Sequence, residues 1–252
     1  MAEKMGIEAR IAHFLRVSED PSATQAERDT AGQEAERLLA KHAIDRLTLD
    51  VEGARRAQRE PIERVTVEVA GGRGTIALDV VLGLIAVAAS VGLVAHYRDR
   101  RTVDRHWDGP DAKPHVGLVV TGFHSDLAFA VPLLESLAVQ AELAMRAWWR
   151  GDRRHRLIQK WDAHLARCAF AQEFGRGAAA RVAAGRAAAI AQTGAGTALV
   201  VASRDAAVQD WVEHNVHVRS RTDRRSFTGY GRAPGYAAGL QSSGSAQRAI
   251  PG

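Results

Sequence analysis

Apolar residues recur at helical spacing in the first 44 residues and form two stripes with a polar break between them. The first stripe covers residues 7–17, and the break that follows contains Asp20-Pro21-Ser22, a sequence typical of helix ends. Thr24 lies three residues before Glu27, the spacing of a capping box, so a second helix is predicted to begin at Thr24. These patterns predict an N-terminal helical hairpin. Because the hairpin is too small to bury much surface alone, we expect it to pack against the rest of the chain.

The pattern changes after residue 61, where apolar runs predict strands and a buried helix. Residues 64–70 alternate apolar and polar side chains, as in a half-buried strand. Residues 80–95 are uncharged, but this run of 16 is shorter than the stretch of about 20 that a membrane span needs. We interpret it as a buried helix that leads directly into a strand at residues 92–97. Residues 115–121 are predicted to form the partner strand of a hairpin.

Long helical stripes follow the predicted hairpin. Residues 125–149 carry one stripe, and residues 153–192 continue as one or two helices with a bend expected at residues 175–177. In this second stretch, the side chains expected to face inward are Leu157, Trp161, Leu165, Cys168, Phe170 and Phe174.

Three shorter elements complete the prediction: a strand at residues 197–202, a helix at 205–214 and a strand at 216–220. This order alternates too irregularly for a doubly wound parallel sheet. We therefore predict an α+β fold, with an N-terminal helical hairpin and a small mixed β-sheet packed against long helices. The predicted divisions are a helical hairpin at residues 1–48, a linker at 49–61, an α+β domain at 62–235 and a flexible or weakly helical tail at 236–252.

Charge is distributed unevenly along the 252 residues, although the net charge is only +5. Residues 1–145 hold 17 basic and 22 acidic side chains, whereas residues 146–252 hold 17 basic and 7 acidic ones. In the second part Lys160 is the single lysine, and arginine suits phosphate recognition because its planar fork binds two oxygens. An arginine- and alanine-rich chain is also typical of GC-rich coding, so composition leaves both explanations open.

Cys168 is the single cysteine, which excludes an intramolecular disulfide and a cysteine zinc cluster. The first ten residues lack the apolar region of a secretory signal. We therefore expect a soluble cytoplasmic protein without a membrane partner.

Cations and aromatic rings alternate between residues 146 and 161, as on surfaces that bind nucleic acid. A second basic run follows residue 218, and the two runs could form one surface. The alternative is a helix-loop-helix corner whose tryptophans pack inward and whose arginines are merely solvated. The predicted nucleic-acid-binding residues are Arg146, Trp148, Trp149, Arg150, Arg153, Arg154, Arg156, Lys160, Arg219, Arg221, Arg224 and Arg225.

Other chemistry has weaker support in the sequence. His214 and His217 lie three residues apart, and His124 and Asp126 flank Ser125, but no motif brings three or four metal ligands together. Ser125 also lacks the Gly-x-Ser-x-Gly elbow of a nucleophile, so we interpret Ser125 or His124 as a helix N-cap. We predict no catalytic residues, no metal site and no cofactor.

The glycines at residues 71–74 could present backbone N–H groups to an anion, but the stretch lacks a Walker ending and dinucleotide spacing. A tight turn is the preferred interpretation. Cys168 lies mid-helix among apolar residues and is expected to be an inert core residue.

The second predicted helix ends in Leu-Leu-Ala-Lys-His-Ala-Ile at residues 38–44. With Thr24 and Glu27 at its start, this ending resembles the hairpin signature of a bacterial and phage family of unknown function, in which an α+β domain often follows the hairpin. The remainder also resembles that second domain, at residues 76–97, 116–127, 146–150 and 236–239. The resemblance implies fold and context but no reaction.

Together these observations predict a non-enzymatic, nucleic-acid-associated protein of a bacterium, phage or mobile element. One alternative is an oligomeric scaffold or protein-interaction module, whose basic surface binds an acidic partner or the N-terminal region of another copy. A second alternative is an uncharacterised hydrolase, which would need His124, His214 and His217 to converge.

Overall fold

The computed structural model describes residues 7–20, 22–48, 60–102, 111–153, 157–193, 195–216 and 230–242. Within these ranges the chain is α+β, as predicted. The elements in chain order are α1 (Ile7–Glu19), α2 (Gln25–Thr48), β1 (Ile62–Ala70), α3 (Ala77–Ser90), β2 (Val94–Arg100), β3 (His115–Phe123), α4 (His124–Gly151), α5 (Lys160–Thr193), α6 (Ala195–Asn215) and α7 (Arg232–Gln241).

Helices α1 and α2 form the predicted hairpin, and a capping box begins α2. The backbone N–H of Thr24 donates to Glu27 Oε2 at 2.8 Å, and the N–H of Glu27 donates to Thr24 Oγ1 at 3.3 Å. These bonds satisfy two of the N–H groups that a helix start leaves without intrahelical partners. The Thr24 hydroxyl also donates to Glu27 Oε2 at 2.7 Å, and this bond, with the one from the Thr24 N–H, lowers the pKa of Glu27.

The hairpin packs against the rest of the molecule, as expected from its size. Its buried side chains, such as Leu15 and Leu38, belong to the same core as those of the sheet and the long helices. A buried polar contact adds to this packing: Ser18 Oγ lies 3.2 Å from Ser136 Oγ of α4, and Gln140 Nε2 donates to both hydroxyls. Because each polar group has a partner, the contact fixes how α1 sits on α4.

The sheet has three strands in the order β1-β3-β2, and both pairs are antiparallel. Leu118 in the central strand is opposite Val67 on one side and Tyr97 on the other. The predicted hairpin of β2 and β3 is confirmed. The sheet was predicted to be mixed, but the described strands pair only in the antiparallel sense.

The strand predicted at residues 197–202 is wrong, because these residues lie inside α6. A short apolar run does not by itself distinguish a strand from a buried helix segment. Thr197, Val201 and Val208 are buried at helical spacing, which is the pattern that decides the matter. The helix predicted at 205–214 is the second half of α6, and of the strand predicted at 216–220 only Val216 lies within the described residues.

Close helix packing surrounds α5, which runs from Lys160 to Thr193 without a break at residues 175–177. A Cβ added at Gly175 would overlap the backbone of Gly83, so α3 and α5 cross with their main chains in contact. Side chains larger than hydrogen would hold the two helices apart at this crossing.

Helix α7 packs on α5 through three glycines spaced four residues apart. A Cβ at Gly231, Gly235 or Gly239 would overlap the carbonyl oxygen of Ala166, Phe170 or Phe174, respectively. The first residues of the segment expected to be flexible or weakly helical, 236–241, therefore belong to a well-packed helix.

Helix α4 is long and apolar enough to cross a membrane by length and composition alone. In this structure it is a core helix, with ten buried residues that include Leu134, Leu137 and Ala141. The run at residues 80–95, considered above as a span, forms α3 and the start of β2, as predicted.

Candidate functional site

The cation-aromatic sequence occupies the end of α4, the following loop and the first turn of α5. We call residues 146–161 the basic corner. Arg154 and Arg156 lie outside the described residues, as do the second-run residues Arg219, Arg221, Arg224 and Arg225. The described residues of the predicted set are Arg146, Trp148, Trp149, Arg150, Arg153 and Lys160.

The two adjacent tryptophans of the corner pack against the body of the protein. Trp148 stacks on Phe170, with ring centroids 4.9 Å apart and an interplanar angle of 19°. Trp149 meets Trp148 edge-on at 5.5 Å, and the Arg167 guanidinium lies 5.5 Å above the Trp149 ring. Both tryptophans are half-buried, so they chiefly hold the corner together.

The basic side chains of the corner point to solvent. Arg146 forms an exposed i,i+4 pair with Glu142. Arg150, Arg153 and Lys160 are exposed and have no carboxylate partner among the described residues. These three cations are therefore available to an external anion.

Two large apolar side chains of the corner were predicted to face inward but are exposed. Trp161 is 67% exposed and Leu157 is 87% exposed. The buried stripe of α5 begins at Ala166; Cys168, Phe170 and Phe174 are inward as predicted, whereas Leu165 is half-buried. Exposing a side chain of this size forgoes roughly 1.5–3 kcal/mol of burial, and the sequence pattern could not reveal it because Trp161 fits the apolar spacing of the helix.

The chain that follows Arg225 is described again from Tyr230, which packs beside the corner. The Tyr230 ring lies 5.4 Å from Trp148. Arg232, two residues later, pairs with the buried Glu173 of α5. Tyr230 and Arg232 thus pack at the base of the corner, whereas the role of Arg219, Arg221, Arg224 and Arg225 stays a prediction.

A different polar cluster, which the sequence did not reveal, lies where α4 begins. Arg204 of α6 is only 6% exposed, and its Nη2 donates to Asp126 Oδ2 at 2.9 Å and to Glu60 Oε2 at 3.3 Å. Its Cζ lies 3.8 Å from the centroid of the Phe123 ring. Arg204 lies between Val201 and Val208 on the buried face of α6. This helical spacing was the one sequence feature that could have indicated a buried arginine.

Glu60 caps α4 from outside the helix. Its carboxylate accepts the N–H of Ser125 at 2.6 Å and the hydroxyl of Ser125 at 2.7 Å. The predicted cap is therefore wrong: Phe123 is the N-cap residue, it contributes no side-chain bond, and Ser125 lies inside the helix. A carboxylate is favourable here because the helix N-terminus carries partial positive charge.

The pKa values of the two carboxyl groups in this cluster are shifted in opposite directions. Burial alone would raise the pKa of Glu60, but the bonds from Ser125 and the charge of Arg204 bring it below its usual value. Burial raises the pKa of Asp126, and the nearby Arg204 offsets only part of that effect. The cluster thus links β3, α4 and α6. Within it, the fold favours the ionised form of Glu60 and disfavours that of Asp126.

The remaining candidates are accounted for by local contacts. No group of three or more histidine, cysteine or acidic residues suited to a metal ion occurs in the described ranges. His124 Nδ1 lies 3.0 Å from Glu63, and His214 bonds the backbone oxygen of Asp210, whereas His217 lies outside the described residues. Ser125 bonds Glu60 and Arg204 rather than a histidine. These contacts give no support to a hydrolase.

The glycine-rich stretch before α3 forms a turn. Gly71 and Gly74 have positive φ angles of 148° and 83°, which favour glycine. Thr75 Oγ1 donates to the carbonyl of Gly72 at 2.8 Å, which closes the turn.

No family model matches the chain, and no curated protein or solved structure is significantly similar to it. The resemblance of the hairpin to a bacterial and phage family therefore stays a prediction.

Proposed function

We propose that the protein binds nucleic acid without chemical turnover, through the basic corner. The observation that carries this proposal is the set of three exposed cations, Arg150, Arg153 and Lys160, without carboxylate partners in the described part of the chain. Surface arginines that serve only solubility are commonly interspersed with acids. Here residues 146–167 hold seven basic and two acidic side chains.

A surface with this excess of cations is suited to bind phosphates. Each cation that neutralises a phosphate releases condensed counterions, which supplies binding free energy without base-specific contacts. Guanidinium groups add bidentate hydrogen bonds to phosphate oxygens. Trp148 and Trp149 pack the end of α4 against Phe170 and Arg167 of α5, which fixes the helix end that carries Arg150.

The proposal is tested by fluorescence anisotropy with a labelled single strand and a labelled duplex, each of about 20 nucleotides, at low salt. Arg150→Glu combined with Arg153→Glu should abolish most of the binding, because two phosphate contacts become repulsive. The matched control combines Arg64→Glu with Arg98→Glu, which removes the same charge from exposed positions on β1 and β2. Equal losses in both double variants, or no binding by the wild-type protein, would contradict the proposal.

A further inference from the structure

Phosphate binding does not explain the exposure of Leu157 and Trp161 in the basic corner, and of the two only Trp161 carries an aromatic ring. Its ring is 67% exposed in the first turn of α5, directly beside Lys160. The imidazole of His164, one turn along the same face, lies 6.0 Å from it at an interplanar angle of 44°. Further along α5, the Arg167 guanidinium covers Trp149. Two flat groups, Trp161 and His164, thus lie side by side at the start of α5.

We propose, building on the nucleic-acid binding proposed above, that the ligand is single-stranded and that one of its bases stacks on Trp161. A base in a single strand can offer its π-face to a protein ring, and every base has such a face. The bases of an intact duplex stack on each other, so a duplex could use only the cations. Trp161 therefore favours single strands over duplexes, whereas Arg150 and Arg153 bind the phosphates of either form.

Neighbouring side chains favour this ligand over an anionic membrane. A helix that lies on a lipid surface presents a continuous apolar face. In the first turn of α5, Lys160 and Asp162 flank Trp161 and are both exposed. These two charged side chains interrupt the apolar face that a lipid surface would need, whereas a single strand needs only one accessible ring and the cations beside it.

The test compares Trp161→Ala, Trp161→Phe and Leu199→Ala in the full chain. Leu199 is the matched control, an apolar side chain of α6 that is 74% exposed outside the corner. The ligands are labelled oligothymidine, a duplex of equal length and vesicles containing phosphatidylserine. Loss of one stacked base should weaken oligothymidine binding by about 5- to 150-fold in Trp161→Ala. Duplex binding should not change, Trp161→Phe should recover most of the affinity, and Leu199→Ala should behave as wild type.

The outcomes separate this inference from the proposed function. If Trp161→Ala affects the single strand and the duplex equally, or affects neither, the inference is overturned. Binding of both nucleic acids that depends on Arg150 and Arg153 would still leave the proposed function standing. Vesicle binding that depends on Trp161, without binding of either nucleic acid, overturns both, as does a wild-type protein that binds no nucleic acid.

Discussion

Arg204 shows how a single residue can join three elements in this protein. It occupies a position on the buried face of α6 where an apolar residue would be usual, and two carboxylates and an aromatic ring surround its guanidinium. A buried ion pair need not stabilise a fold relative to apolar residues, but removal of one partner leaves the other charge buried without compensation.

We therefore expect Arg204→Ala to lower the free energy of unfolding by about 3–5 kcal/mol near neutral pH. Arg37→Ala is the control, because it breaks an ion pair with Glu34 on the exposed side of α2. That change should cost less than about 1 kcal/mol. Urea unfolding followed by circular dichroism measures both, and similar small losses would show that the Arg204 cluster does not hold α6 in place.

Glu60 and Asp126 should give opposite pH dependences. The pKa of Glu60 is lowered in the folded protein, so its ionised form adds stability that is complete above the ordinary carboxyl pKa and is lost as pH falls through the lower, folded value. The pKa of Asp126 is raised, so ionisation of Asp126 costs stability once pH rises above the ordinary value and through the folded one.

Isosteric amides separate the two effects. Relative to wild type, Glu60→Gln should become less stable as pH rises from about 4 to about 7, and Asp126→Asn should become relatively more stable over the same range. Urea unfolding at both pH values gives the differences. If the two variants change in the same direction, the assignment of the two charges is incorrect.

At the scale of elements, glycine has opposite roles at two positions in helices. Gly235 of α7 faces the carbonyl of Phe170, where an added Cβ would overlap it. Gly185 of α5 faces open space. Replacement by alanine should therefore destabilise the protein at Gly235 and stabilise it at Gly185.

Gly235→Ala should destabilise the protein by about 1–3 kcal/mol, since α7 must move away from α5. Gly185→Ala should stabilise it by about 0.5–1 kcal/mol, because alanine lowers the backbone entropy cost of the helix. Thermal and urea unfolding of the pair provide the measurement. Destabilisation by both changes would mean that helix α5 is packed on its outer side as well.

The elements that the sequence predicted are those with local causes. The Thr24–Glu27 capping box and the alternation in β1 depend on neighbours within a few residues, and both appear as expected. The strand assigned at residues 197–202 failed because its environment is set by α6 packing, not by its own composition. The glycine spacing in α7 was visible, but its meaning depends on a partner helix that is distant in sequence.

The candidate site divides in the same way. The cations of the basic corner could be found from composition, because charged side chains are usually exposed. The inward packing of Trp148 agrees with the alternative that the sequence left open, but the exposure of Trp161 could not be found, since all three tryptophans of the corner fit apolar spacing. The Arg204 cluster unites residues from positions 60, 125, 126 and 204, and a lone arginine in an apolar stripe does not identify its partners.

At the scale of the whole molecule, charge is separated along the chain. The first 145 residues are net acidic, and the positive charge begins at Arg146. An anionic ligand should therefore bind at the corner rather than across the surface, and its affinity should decrease with ionic strength.

The most direct measurement is the salt dependence of oligothymidine affinity for the wild-type protein and for the Arg150→Glu, Arg153→Glu double variant. If each of the three exposed cations neutralises one phosphate, the logarithm of the association constant should fall with the logarithm of salt concentration with a slope of about −2 or steeper. The double variant should bind far more weakly and lose about 1.4 of that slope. A slope near zero, or a slope and affinity unchanged by the double substitution, would contradict nucleic-acid binding by the basic corner.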